Sequence, residues 1–317
     1  MDLISIILPA FNAEQTIAQT INSLLLQTYN YFELIIVNDG STDDTEVIIN
    51  SIVDNRIQYF KQDNKGQCAA CNFGLTKAKG KYIKFFDADD VMNNTHLEAQ
   101  ILKLNGRIDA VSSCKWGRFY NDNLDTLKFV PETVWKDMNT LDWLRGALTQ
   151  RHDMMGGCLW LIPKSILDKI GGWDERLSLN NDFEFSVRLL LNTSNVFFAE
   201  NAELHYRSGA LNSLSKSTSE EKYEAAFLSN YLGCSYLLKA DNSNEMKLLC
   251  ANRFQEWVFD IYPKYPEVVK KFERQIKLWG GSTIKMQGGI ILKFLTKVLG
   301  WKNSKKIKLF LNKNIKN

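Results

Sequence analysis

Residues 81–90, K-Y-I-K-F-F-D-A-D-D, form an apolar run that ends in three carboxylates. Two of them, Asp87 and Asp89, are one residue apart with small Ala88 between them. On an extended chain both side chains would face the same crevice. Carboxylates packed in that way repel, and each resists ionising unless a cation sits between them. A hard divalent ion with oxygen ligands, Mg²⁺ or Mn²⁺, removes the repulsion and in turn recruits phosphate. Asp87 and Asp89 are therefore candidate metal ligands, although a D-x-D triplet taken alone arises by chance in many chains.

The run ahead of the acids, with Tyr82, Ile83, Phe85 and Phe86, reads as a buried strand of a parallel sheet. Its acids then lie at the strand's carboxyl end, where open α/β sheets bind ligands. Upstream, residues 3–8, 33–37 and 57–60 read as strands, and residues 14–27 and 46–52 as helices between them. This β-α-β-α-β-α-β series with short connections predicts a parallel sheet with helices on both faces. Two further strand ends carry polar groups, Pro9-Ala10-Phe11-Asn12 and Asp39. Ser41, Thr42 or Asp43 suffices to cap the second helix, so Asp39 is not needed for that. No G-x-G-x-x-G follows the first strand, so pyrophosphate cannot sit on a helix amino end in the dinucleotide-binding manner. Metal held by the aspartates is the remaining way to hold phosphate.

Four blocks, in this order and at these intervals, resemble the family 2 glycosyltransferases of GT-A fold: P-A-F-N at 9–12, N-D-G-S-T-D at 38–43, N-K-G-Q at 64–67 and F-F-D-A-D-D at 85–90. The resemblance covers residues 3–215. It implies that Pro9, Phe11 and Asp39 form the nucleotide pocket, with Asp39 accepting a hydrogen bond from the base. It further implies that Asn12, Asn64, Gln67 and Asn72 belong to the donor side, that Asp87 lies near ribose and metal, and that Asp89 ligates the ion bridging the donor's diphosphate. This chain departs from the pattern at Cys71, where many members carry an arginine before the asparagine that matches Asn72. A diphosphate contact is then either missing or supplied by Lys65 or another base.

In the second half, residues 109–114 read as a fifth strand, 116–135 as a less regular stretch rich in aromatics, 140–150 as a helix, and 154–163 as one buried strand ahead of a helix at 164–170. In the resembling family the next stretch, here G-G-W-D-E at 171–175, precedes an acidic pair at a helix start that furnishes the catalytic base. That place reads L-N-N-D-F-E-F at 179–185, which makes Asp182 the candidate base and Glu184 the reserve; Asn181 stands where the family has Glu. Inverting transfer needs a carboxylate opposite the leaving diphosphate to take the acceptor hydroxyl's proton. A helix-start acid is also what the macrodipole favours without any chemistry. Arg207 suits a diphosphate, because guanidinium pairs with phosphate oxygens bidentately. His205 is either a ligand for Mn²⁺ or a hydrogen-bonded structural histidine. The resemblance also implies that the segment after Arg207, with Asn212, Ser213 and Ser215, closes over the donor.

The chain of 317 residues, 45% hydrophobic and 24% charged, suffices for one large α/β domain plus appendages. The expected organisation is a catalytic domain over residues 1–218, with a nucleotide-binding half at 1–115 and an acceptor half at 116–218, followed by a helical region at 219–317. The amino terminus does not read as a secretory signal. The apolar run 288–301 is broken by Lys293 and Lys297 and is too short to span a bilayer. Six scattered cysteines read as buried free thiols, which places the chain in the cytoplasm. The net charge of +3 hides a tail that, beyond Glu273, has Arg274, ten lysines and no acid. Such a tail is either a peripheral contact for the anionic inner face of the plasma membrane or a solvated basic helix. No nucleic-acid partner is expected. The expected function is metal-dependent, inverting transfer of a sugar from a nucleotide-diphosphate donor, UDP-linked in the first instance, to a hydroxyl of a growing or lipid-linked glycan. The alternatives are a catalytically silent scaffold for nucleotide sugar or glycan, and a nucleotidyltransferase, which would need a glycine-rich basic loop where P-A-F-N stands.

Overall fold

A computed structural model describes residues 1–149, 154–209 and 219–315. The expected closing segment with Asn212, Ser213 and Ser215 lies outside the described residues. The first unit runs β1 (Ile4–Ala10), α1 (Ile17–Leu25), β2 (Phe32–Asp39), α2 (Thr45–Ser51), β3 (Ile57–Gln62), α3 (Gln67–Lys77) and β4 (Tyr82–Phe85). Every residue of β1 and β2 is buried, as expected of strands covered on both faces. Strands β1 to β4 are mutually parallel in the order β3-β2-β1-β4. The order reverses at β1, so the crevice between the ends of β1 and β4 is the topological switch point where such sheets bind ligands. Helix α3 lies close on the sheet because Gly74 has no side chain: a Cβ there would stand 2.5 Å from Ile7 Cγ2.

After β4 come β5 (Val91–Met92), α4 (His96–Leu104), β6 (Val111–Tyr120), β7 (Asn123–Phe129), β8 (Met138–Asn139) and α5 (Thr140–Thr149). Then follow a 3₁₀ turn (Gly157–Leu159), β9 (Ile162–Pro163), α6 (Lys164–Ile170), α7 (Asn181–Leu190) and β10 (Asn195–Ser208). Strand β9 joins the first sheet antiparallel to β4, and a second sheet is ordered β5-β10-β6-β7. Two expectations are corrected here. The stretch taken as irregular is a β6–β7 hairpin, turned by Asn121 and Asp122 at φ 54° and 57°, the left-handed pair that tight hairpins require. Residues 154–163 are not one strand: the chain coils at Gly157, where a Cβ would meet the Trp173 ring at 2.5 Å.

The helical region comprises α8 (Glu220–Ala240), α9 (Asn244–Ile261), α10 (Pro266–Leu278) and α11 (Ile290–Ile315), the last kinked at Gly300 (φ 75°). Among the described residues no strand follows β10, yet the buried core runs unbroken from Phe183 and Phe185 of α7 to Cys234, Leu237 and Phe254 of α8 and α9. The seam is also polar. Ser229 Oγ donates to Asn180 O at 2.5 Å, and Arg145 pairs with Asp241 at 2.9 Å. Among the described residues no helix is long and apolar enough to cross a membrane.

Gly233 of α8 sets how closely that region approaches, since a Cβ there would stand 2.6 Å from Cε1 of the buried Phe183 ring. Gly233→Ala is expected to overpack this seam and cost about 1–3 kcal/mol, read from the denaturant midpoint; an unchanged midpoint would show that α8 is not pressed against α7.

Candidate active site

The acids emerge one residue after the sheet ends. Phe86 N–H donates to Ile7 O at 3.0 Å, which carries the parallel pairing just past β4 and delivers Asp87 to the switch point. There the chain turns, with Asp90 N–H donating to Asp87 O at 3.3 Å. Two threonines of α1 and its start hold the turn from below: Thr16 Oγ1 donates to Ala88 O at 2.9 Å and Thr20 Oγ1 to Asp90 O at 2.8 Å. The opposing wall is the coil at Gly157–Leu159. It is fixed by Lys84, fully buried, whose Nζ donates to Cys158 O at 2.6 Å and Gln100 Oε1 at 3.1 Å.

This turn changes which carboxylates meet. On an extended strand residues i and i+2 would share a face, but in a four-residue turn the first and fourth approach. A carboxylate oxygen of Asp87, one of Asp90 and Cys158 Sγ all lie within 4.8 Å of one another. The Asp89 carboxylate is not in that set, although its main-chain oxygen accepts from Arg207 Nε at 2.6 Å. Asp90 is fully buried; Oδ1 accepts from Arg207 N–H at 2.9 Å, and Oδ2 is buried without a partner.

Burial, followed by the charges of Asp182 and Asp89, pushes the Asp87 carboxyl up to about 8. Burial raises Asp89 as well, and burial with the charges of Asp89 and Asp87 drives Asp90 well above the usual carboxylate range. The Cys158 thiol is also pushed well up, mainly by burial. A fully buried, unpartnered oxygen amid acids that resist ionising fits a hard divalent cation. Asp87 and Asp90 would hold it, with Asp89 beside them and a protonated thiol facing the same point. His205 is not in that set: its Nε2 lies 3.1 Å from Glu203 Oε2 and its ring packs edge-on against Phe129, with centroids 6.0 Å apart.

Of the residues expected to bind the donor, Asp39 is buried at the end of β2 and accepts from Gln62 Nε2 (2.7 Å), Lys65 N–H (2.9 Å) and Gly66 N–H (2.8 Å). Pro9 is buried within β1, whereas Phe11 beyond it is 45% exposed. Asn12 ties the two strand ends together by accepting from Thr42 N–H at 2.8 Å. Asn64 is exposed beside Gly40. Gln67 Nε2 donates to Asp87 Oδ1 at 2.7 Å and its Oε1 accepts from Asn181 Nδ2 at 3.4 Å, so one amide spans Asp87 and the start of α7.

Asp182 stands across the recess. Its Oδ1 accepts Gly157 N–H at 2.7 Å, and burial raises its carboxyl. Asp87 and Asp182 line one cavity of about 200 Å³ together with Cys158, Asn180, Tyr206 and Arg253.

Three other candidates have their polar groups engaged inside the protein. Asn72 donates to Trp173 O and Glu175 Oε1 and accepts Trp173 N–H, at 2.9, 2.9 and 2.7 Å, which clamps α3 to the G-G-W-D-E segment. Glu184 is buried and pairs with Arg188 at 2.7 Å. Arg207 is buried; its guanidinium bonds Asp122, Gln19 and Asp89 O and covers the Phe119 ring. The sequence reading passed over Cys158 and Arg253, named Tyr206 only within the Y-R segment of the closing loop, and gave Asp90 no role. Only Asp90 had a local signal, as the fourth letter of D-A-D-D.

The strand order, the acidic turn at the switch point and the second sheet define a GT-A glycosyltransferase fold. Solved structures agree: the first 349 residues of S. aureus TarS, in complex with UDP-GlcNAc, match with a TM-score of 0.68 over 88% of this chain and 80% of that one, at 21% identity. The profile of glycosyl transferase family 2 matches residues 5–171, and the chain belongs to that family. An uncharacterized glycosyltransferase of Rickettsia typhi is 34% identical over 198 residues, 62% of this chain and 61% of that protein. The UDP-Glc:alpha-D-GlcNAc-diphosphoundecaprenol beta-1,3-glucosyltransferase WfaP of Escherichia coli is 48% identical over 102 residues, 32% of this chain and 41% of that protein. The chain thus spans less than two thirds of the length of either relative.

The raised Asp87 carboxyl makes the folded protein the stronger proton binder between its ordinary value of 3.8 and about 8. Stability should therefore fall as pH rises through that window. Without divalent cations, Tm is expected to drop between about pH 5 and about pH 8, to drop less in Asp87→Asn, and to recover at the upper pH when Mn²⁺ or Mg²⁺ is added. Equal pH slopes in the two proteins would contradict this account of Asp87.

Proposed function

We propose that this chain is an inverting glycosyltransferase that moves a sugar from a UDP-linked donor to a hydroxyl of a growing, lipid-linked surface glycan. One observation carries the reading: Asp87 and Asp182, from opposite halves of the fold, line one recess of about 200 Å³. A UDP-linked donor is supported by the name of WfaP and by TarS complexes with UDP and UDP-GlcNAc. A diphosphate-linked lipid acceptor is supported by the WfaP name.

A Mg²⁺ or Mn²⁺ ion held by Asp87 and Asp90, with Asp89 beside it, would stabilise charge on the departing diphosphate. Asp39 holds the nucleotide base at the end of β2, and Gln67 fixes the Asp87 carboxylate relative to α7. Gly157 N–H occupies one oxygen of Asp182 and orients the other toward the recess. That oxygen takes the proton of the acceptor hydroxyl while its oxygen bonds to the anomeric carbon on the face opposite the diphosphate. The anomeric C–O bond to the diphosphate breaks with its electron pair, and UDP leaves.

Removing the base gives the sharpest test. UDP release from a panel of UDP-sugars with Mn²⁺ is expected to be slow without acceptor, and kcat with acceptor should fall by about 10²–10⁴ in Asp182→Asn while the donor KM changes little. Undiminished turnover in that variant would remove Asp182 as base, and tight UDP-sugar binding with no turnover in the wild type would favour a silent scaffold.

We further propose that α11 rests on the anionic inner face of the membrane. Ile290, Ile291, Phe294 and Val298 are each more than 60% exposed and share one helix face, with Lys293 and Lys297 along its edge. Trp301 meanwhile anchors the helix on Phe259 and Tyr262, with ring centroids 5.0 and 5.3 Å apart. The protein should co-sediment with vesicles containing anionic lipid, and Phe294→Glu should abolish this without lowering Tm; equal binding to neutral vesicles would speak against the charge contribution.

A further inference from the structure

Three strands of the second sheet carry a row of side chains that starts at the recess and runs away from it. Tyr206 of β10, which lines the recess with Asp87 and Asp182, is in register with Arg118 of β6, and Arg118 is in register with Lys128 of β7. Cross-strand partners share a face of the sheet. The adjacent row bears out the register on the opposite face: His205, Gly117 and Phe129 are partners in the same way, and with no side chain at Gly117 the two outer rings meet at 6.0 Å.

Arg118 and Lys128 therefore stand directly opposite each other with the same charge, an arrangement that destabilises a sheet. Both are exposed, and among the described residues no carboxylate pairs with either. The guanidinium is nevertheless held. Its Nη1 donates to Ser208 Oγ at 2.9 Å, and it lies over the Trp116 and Tyr206 rings, 5.2 and 4.9 Å from their centroids. These partners orient the group and carry no charge. An anion placed between the two cations would turn one repulsion into two attractions, and the oriented guanidinium matches phosphate oxygens in a fork.

The position of the pair selects the anion. The sheet order β5-β10-β6-β7 puts Arg118 and Lys128 on the side of Tyr206 away from β5, the strand into which the acidic turn leads. Neighbouring strands are about 4.8 Å apart, so the two cations lie one and two such spacings beyond Tyr206. A donor's diphosphate belongs at the acidic turn. A phosphate beyond Tyr206 is then a second one, on a molecule whose sugar occupies the recess.

We propose that Arg118 and Lys128 form an anion subsite for the diphosphate of a lipid-linked acceptor whose sugar lies against Tyr206. The proposal rests on the transferase reading for the identity of this ligand.

The experiment titrates the full chain calorimetrically with farnesyl-diphosphate N-acetylglucosamine, and separately with UDP and Mg²⁺, in wild type, Arg118→Gln, Lys128→Gln and Lys128→Glu. Each glutamine variant is expected to bind the prenyl-diphosphate sugar about tenfold more weakly, and Lys128→Glu more weakly still, with UDP affinity unchanged. Tm without ligand should hold or rise in both Lys128 variants, because the repulsion is relieved; a fall there would remove the strain on which the proposal stands. Unchanged affinity for the prenyl-diphosphate sugar in Arg118→Gln or in Lys128→Glu overturns the proposal. Weaker UDP binding does so too, by assigning the pair to the donor. A wild type that binds no prenyl-diphosphate sugar overturns it outright, whereas one that binds it through both cations and transfers no sugar from any UDP-sugar would sink the transferase reading and leave the anion subsite standing.

Discussion

Repulsion among carboxylates gathered at the end of β4 is the constraint to which the surrounding structure answers. Two unit charges about 4 Å apart interact by roughly 4 kcal/mol at an effective dielectric of 20, and here Asp87, Asp89 and Asp90 occupy a single turn. The protein tolerates this by fixing the backbone that carries them. Threonines of α1 hold the carbonyls of the turn, the Arg207 main chain and side chain hold Asp90 and Asp89, and Gln67 holds Asp87. Lys84 does the same for the facing coil through Cys158 O. Such a shell keeps the acids close whatever their protonation, so a cation that arrives finds its oxygens already placed.

Much of the first hundred residues was legible because each signal was local. Apolar runs ending in acids, short connections and four motif blocks predicted strands, helices and the shared edge. What was not legible depended on backbone geometry or distant chain. The D-x-D reading assumed an extended backbone, and one hydrogen bond from Asp90 to Asp87 O turned i+2 into i+3. Residues 154–163 matched a buried strand in composition, but Gly157 must bring its N–H to Asp182 and accept the Trp173 ring against its Cα. Asn72 and Glu184 carried the chemistry of site residues, yet tertiary contacts engage both; no spacing rule reveals that a carboxylate's partner is Arg188, one helical turn on.

The helical region changes meaning once its packing is seen. Composition alone left it as an appendage with several uses. In the structure α8 lies on α7 through Gly233 and Phe183, while α9 sends Arg253 across the same ring. The helix start that presents Asp182 is therefore supported by residues some fifty to seventy positions later in the chain. Its orientation depends on folding of the whole protein and not on the α/β half alone.

The clamp at Asn72 bears on how such proteins diversify. One amide joins α3 to Trp173 and Glu175, and with Gln67 it fastens the half that carries β1 to β4 to the half that presents Asp182. Recombination that exchanged one half for that of a cousin would separate these side chains from the main-chain groups they read. New acceptor preferences are thus more easily reached by altering loops within an intact seam than by shuffling halves across it.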